Sequence, residues 1–117
     1  MILNGEYDQK TGFERTKTLL ALEQRPTAIM ASNDDSAIGV LSALREQGVA
    51  IPEEMAVTGF DDVPSARYAS PPLSSVHVPV RELGSAAIRL LTERLRNDRL
   101  DSTLRTMPVA LSLRQTS

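Results

Sequence analysis

The sequence predicts an α/β fold, a mainly parallel sheet flanked by helices. Two short apolar runs, TAIMA (27–31) and MAVTG (55–59), lack the polar alternation of a half-exposed strand, as strands covered on both faces do. Stretches with helical periodicity alternate with these runs. The connections have the length of crossovers rather than hairpins, so successive strands run parallel.

The elements follow in order. Residues 2–4 read as a short strand or the end of one. Thr11 and Glu14 have the T-x-x-E spacing of a capping box and predict a helix over 12–23, with Phe13, the Lys17 stem, Leu19 and Leu20 on or near one face. Pro26 stops it. After the 27–31 strand, Ala37, Val40, Leu41 and Leu44 recur at helical spacing and predict a helix over 35–47, with Gly48 as the residue that ends it. The 55–59 strand leads into a polar loop with room for one helical turn, and Pro71-Pro72 breaks regular structure there. SSVHV (74–78) reads as a strand. Residues 80–97 form the longest helical pattern, with Leu83, Ala87, Leu90, Leu91 and Leu95 in one stripe. NDRLDS (97–102) is a turn, and the alternation of Val109, Leu111 and Leu113 predicts a last strand.

Composition narrows the chemistry. A chain of 117 residues with 41% hydrophobic and 24% charged residues supports one small core. The net charge of −2 argues against a nucleic-acid-binding face on this chain. With no cysteine and a single histidine, His77, neither disulfides nor multi-histidine zinc sites can form. No apolar run approaches a membrane span, and the start lacks the pattern of a signal peptide, so a cytoplasmic location is expected.

In parallel sheets, ligands bind outside the carboxyl ends of the strands. Both apolar strands end in polar clusters there: Ser32-Asn33-Asp34-Asp35 after the first, Phe60-Asp61-Asp62 after the second. The plainer explanation is that Asn33 or Asp34 caps the following helix, worth about 1 kcal/mol, and that Asp61-Asp62 forms an Asx-turn. Three functional readings stand beside it. Clustered carboxylates can hold magnesium for phosphoryl transfer, but the chain has no glycine-rich phosphate loop and only two lysines. A hydrolytic triad would need His77 with Ser74 or Ser75, which lie on one strand and not on a sharp elbow. The third reading is a neutral polyhydroxy ligand, since a carboxylate accepts from two adjacent hydroxyls, each bond contributing about 1.5–3 kcal/mol.

The run SNDDSAIGVLSALREQGVAIPEEMAVTGFDDVPSARYASPPLSSVHVPVRELGSAAIRLL closely resembles the LacI/GalR family of bacterial transcription regulators. The matching elements are N-D-x-x-A-x-G, G-x-x-I-P-E, V-x-G-F-D-D, P-P-L-[ST]-[ST]-V and a later G-x-x-A helix, in that order. The resemblance spans essentially the whole chain. It implies part of a periplasmic-binding-protein-like effector domain, in which Asn33 and Asp61 hydrogen-bond the effector, a sugar or nucleobase, and Tyr7 lays its ring against it. Asp34, Asp62 and Val78 are secondary candidates. Val78 stands where the family often has a cleft glutamine, and Ser74-Ser75 and Thr58 are milder departures. The resemblance implies no catalysis, no cofactor and no metal.

It also implies a division of the chain. Residues 1–78 would belong to the second effector subdomain, 79–101 to a helix that packs on the first, and 102–117 to a return strand. The helix-turn-helix that binds operator DNA and most of the first subdomain would lie outside this chain. The leucine stripe of 80–97 is then expected to redock on the chain's own sheet or on a second copy. A homodimer is implied, with helix 35–47 and PSARYASPP (64–72) as interface elements. A sugar-binding protein of a transport system shares the architecture and is the alternative; a magnesium-dependent phosphatase is more remote.

Overall fold

Strand β2 (Ala56–Asp61) lies at the centre of a four-stranded sheet, with β1 (Ala28–Met30) on one side and β3 (Ser74–His77) on the other, both parallel to it. Strand β4 (Ala110–Ser112) closes the far edge antiparallel to β3. The computed structural model describes residues 1–96 and 104–117, so the turn expected at 97–102 lies outside the described residues. Residues 1–77 and 110–117 form one compact unit and residues 78–109 a second. The chain passes between them at His77–Val78 and returns at Val109–Ala110.

Two helices precede β2 in the first unit. Helix α1 (Gln9–Leu20) starts earlier than the sequence pattern suggests. Its cap is Asp8, whose carboxylate accepts from the Thr11 amide at 2.7 Å, so the expected Thr11/Glu14 capping box does not form. A carboxylate one turn upstream has taken that amide. Helix α2 (Asp34–Glu46) is capped by Asn33, whose side-chain oxygen accepts from the Ser36 amide at 2.9 Å. Its far end closes as expected: Gly48 has φ +68, and the Gly48 and Val49 amides bond the Arg45 and Leu44 carbonyls. Residues 2–4, expected in a strand, belong to none; Ile2 is exposed and has no strand partner.

The core joins α2 to the sheet through Ala37, Val40, Leu41, Leu44, Met55, Val57 and Leu73. Gly39 lets α2 approach α1: a Cβ there would run into the Gln9 carbonyl of α1. Reciprocally, a Cβ at Gly12 of α1 would run into the Ser36 carbonyl of α2. The two helices thus cross backbone to backbone, through one glycine from each. A short helix α3 (Pro64–Tyr68) fills the loop after β2, opening on a proline at its first turn.

The carboxyl-terminal strand forms as the alternation predicts, but its polar side faces inward. Leu111 and Leu113 are exposed, while Ser112 and Arg114 are partly buried and Thr116 fully so. Thr116 bonds β2 and β3 at once: its carbonyl accepts from the Val57 amide at 2.7 Å, and its hydroxyl donates to the Val57 carbonyl at 2.6 Å and accepts from the Ser74 amide at 2.9 Å.

In the second unit, α4 (Val80–Arg96) buries Ala86 and leaves Leu83, Leu91 and Leu95 at 47, 55 and 73% exposure. A polar helix face needs no partner, whereas an apolar stripe this long does.

The glycine crossing gives a direct test. Gly39→Ala is expected to cost roughly 1–3 kcal/mol, because backbone and not a flexible side chain must give way. Gly84→Ala in α4, where an added Cβ meets nothing within 4 Å, is expected to be neutral or to stabilise by up to about 1 kcal/mol. Urea denaturation of both variants measures the difference.

Candidate functional site

The parallel pairing of β1 and β2 brings the two polar clusters to one edge of the sheet. What the clusters do there differs residue by residue. Asn33 is a cap and also a clamp. Its amide nitrogen donates to the Tyr7 carbonyl at 2.9 Å, which ties the chain before α1 to the start of α2. Tyr7 holds a left-handed backbone, φ 58, and its side chain is 67% exposed. The Tyr7 backbone, the Asn33 amide and the end of β1 are thus brought together.

Asp34 is turned inward. It is 1% exposed, and both carboxylate oxygens are in use. One accepts from the Ser75 hydroxyl at 2.5 Å, the other from the Val63 amide at 2.8 Å. Gly59 makes the room for it: a Cβ there would collide with the Asp34 carboxylate. Ser75 is fully buried and gives its proton to Asp34, while His77 contacts Asp62, so no serine–histidine pair assembles.

Asp62 is likewise engaged. Its side chain is 3% exposed. It accepts from Arg114 Nη2 at 2.5 Å and from the Ser112 hydroxyl at 2.9 Å, and it contacts His77 Nδ1 at 3.2 Å. Asp34 and Asp62, the secondary candidates, thus both hold the loop through their carboxylates. Val78, half-buried, is the first residue of the second unit.

Asp61 stands apart. It ends β2 with φ 102, partly exposed, and its carboxylate has no hydrogen bond among the described residues. Burial, and then the nearby Asp34 charge, push its carboxyl above the ordinary range. An unpaired acceptor held in a strained backbone is poised for something that donates to it. Among the described residues, no three acidic or histidine side chains converge as metal ligands.

Arg114 and Ser112 were missed by sequence reasoning, although a signal existed. Adjacent aspartates call for a cation, and Ser112 and Arg114 are the polar half of the alternating end VALSLR. Their separation of 50 and 52 residues from Asp62 hides the pairing.

Comparison with known proteins accords with this architecture. Residues 2–117 match the family model described as periplasmic binding protein-like domain. The lactose operon repressor of Rhizobium radiobacter is 48% identical over 86 residues, 74% of this chain and 76% of that protein. A LacI transcriptional regulator from Bacillus cereus subsp. cytotoxis superposes with a TM-score of 0.93 at 34% identity, over 96% of this chain and 40% of that one. A LacI-family regulator from Lactobacillus casei with bound sucrose superposes at 0.81 and 34% identity, over 94% of this chain and 41% of that one. The chain belongs to the periplasmic-binding-protein-like family, in the branch formed by LacI-type transcriptional regulators. It spans about two fifths of the length of the two solved regulators.

The two loop carboxylates respond oppositely to pH. Burial alone pushes the Asp62 carboxyl up, but the hydrogen bonds from Arg114 and Ser112, the Arg114 charge and the His77 contact outweigh it and hold Asp62 below the ordinary range. Its contribution to stability is complete above the unfolded-chain value and is lost as pH falls through the depressed folded value. The Asp61 contribution is complete below its unfolded value and is lost as pH rises through the raised one. Asp62→Asn is thus expected to flatten the loss of stability in acid, and Asp61→Asn to raise stability at neutral pH. Urea midpoints from about pH 3 to pH 7 check both; an Asp61→Asn variant less stable than wild type at neutral pH contradicts the second.

Proposed function

We propose that this chain is the effector-binding, dimer-forming part of a LacI-type transcription regulator that senses a neutral polyhydroxylated small molecule, a sugar, in the cytoplasm. The observation that carries the reading is Asp61. It is the strand-end carboxylate left without a partner, at the edge where parallel sheets receive ligands. A sugar supplies adjacent hydroxyl donors to it, each charge-assisted bond contributing about 1.5–3 kcal/mol. The exposed Tyr7 ring would offer a face for the apolar side of a pyranose, and Asn33, bonded to the Tyr7 carbonyl, keeps further hydrogen-bonding capacity. Val78 would give the ligand an apolar contact.

The relatives support a regulator over a transport protein: one represses an operon, and the two solved structures are LacI-family regulators. The sucrose held by the Lactobacillus casei regulator supports a sugar as ligand. The role is non-catalytic, and no metal or cofactor enters it. Operator DNA is bound through a helix-turn-helix outside this chain, and the effector shifts DNA affinity by binding the two states of the regulator unequally. Residues 1–78 supply the second subdomain, 79–101 the helix whose exposed leucines meet the first subdomain, and 102–117 the return strand. Dimerisation uses α2 and residues 64–72; Tyr68, 86% exposed on α3, supports that surface.

Thermal-shift screening of the full-length protein tests the reading, with neutral mono- and disaccharides, nucleobases and sugar phosphates. A neutral sugar is expected to raise Tm. Asp61→Ala is expected to abolish the shift, and Tyr7→Ala to weaken binding by about 1 kcal/mol, several-fold in affinity. Stabilisation by a nucleobase or a sugar phosphate alone rejects the sugar assignment, and an undiminished shift in Asp61→Ala removes Asp61 from the site. Light scattering is expected to show a dimer; a monodisperse monomer counts against the dimer surface.

A further inference from the structure

One row of the sheet links the candidate ligand residue to both places where the chain leaves and re-enters the first unit. Asp61 on β2 pairs in register with His77 on β3, and His77 pairs with Ala110 on β4. His77 is the last residue before the outgoing crossing, and Ala110 is the first after the returning one.

Asp62 grips the same two segments from its side chain. Its carboxylate contacts His77 on the outgoing side, and Ser112 and Arg114 on the returning side. Arg114 is anchored further, donating to the Leu73 carbonyl at 2.6 Å. The chain beyond Asp61 has little freedom. The Asp62 amide donates to the Ser75 hydroxyl at 3.1 Å, and the Val63 amide is held by Asp34. Asp61 and Asp62 are adjacent non-glycine residues in left-handed backbone, φ 102 and 55, a strain that persists only because both flanking segments are fixed. A shift of Asp61 is therefore not absorbed downstream at Val63. It reaches the Asp62 carboxylate and, through the strand pairing, His77 and Ala110.

We propose that Asp62 is a positioning residue, clamping both interunit crossings to the loop that carries Asp61, so that occupation of the Asp61 site is felt at both crossings together. The proposal rests on the reading of Asp61 as a ligand contact. The clamp is cooperative. Losing one arm leaves a largely buried carboxylate or a partly buried guanidinium underpaired, so the arms hold or release as a set.

Amide hydrogen exchange on the full-length protein tests this. Asp62→Asn and, independently, Arg114→Gln are expected to speed exchange roughly tenfold in residues 75–79 and 109–113 together. Residues 9–20 and 34–46 stay within about twofold of wild type. Ser112→Ala, the mildest change, moves both segments in the same direction by less. Unchanged exchange at the crossings overturns the proposal. So does an equal rise throughout the protein, which is what general destabilisation gives. In the second arm, cellobiose, lactose and sucrose are the probes. A sugar that shifts wild type slows exchange at both crossings there, but not in Asp62→Asn, compared with both proteins saturated by it. A bound sugar that leaves the wild-type crossings unaltered also overturns the proposal. If no neutral sugar binds, the proposed function falls, and the unliganded comparison, which needs no ligand, still decides the clamp.

Discussion

The buried carboxylate of Asp34 is the constraint on which the rest of this sheet edge depends. It reaches across from the start of α2 to the Ser75 hydroxyl on β3 and the Val63 amide beyond β2. It therefore ties the amino-terminal end of α2 to β3 and to the segment after β2 with one side chain. The cost of burying it is offset by two hydrogen bonds to its oxygens, at 2.5 and 2.8 Å. The arrangement needs a residue without a side chain at 59, since the carboxylate occupies that space. It also sets the electrostatics next door, because its charge adds to burial in disfavouring an ionised Asp61.

From that anchor the division of labour among neighbouring carboxylates follows. The side chains of Asp34 and Asp62 are buried and bound by donors on both carboxylate oxygens, whereas Asp61, partly exposed, is not. On the proposed reading, that difference leaves Asp61 as the acceptor for a ligand. The left-handed backbone at Asp61 and Asp62 is what separates adjacent residues into opposite roles.

Much of the fold was legible because its signals are local. The strands at 28–30 and 56–61 and the helix at 34–46 announce themselves by apolar runs, a capping residue and a terminal glycine. The strand expected at 2–4 failed because a short stretch such as Ile2-Leu3-Asn4 becomes a strand only beside a partner, and none of the described strands pairs with it. The capping box failed because Asp8 reached the same amide first. At the site, Asn33 and Asp61 could be picked out as polar residues at strand ends, and the resemblance to known regulators sharpened that choice. Which neighbouring aspartate turns inward could not be read. That depends on Arg114 and Ser112, brought in by a strand late in the chain, and on a hole at Gly59 visible only in three dimensions.

The crossing of α1 and α2 has a consequence for how a binding site on this frame can change over generations. At most helix interfaces, substituted side chains repack and the helices slide by fractions of an ångström. Here Gly12 and Gly39 set main chain against main chain, with no side chain between to resize. The spacing from Tyr7 to Asn33 is held by that crossing and by the Asn33 amide. On the proposed reading of the site, altered ligand preference would come from exchanging the groups that decorate the frame, because this crossing has no side chain to resize.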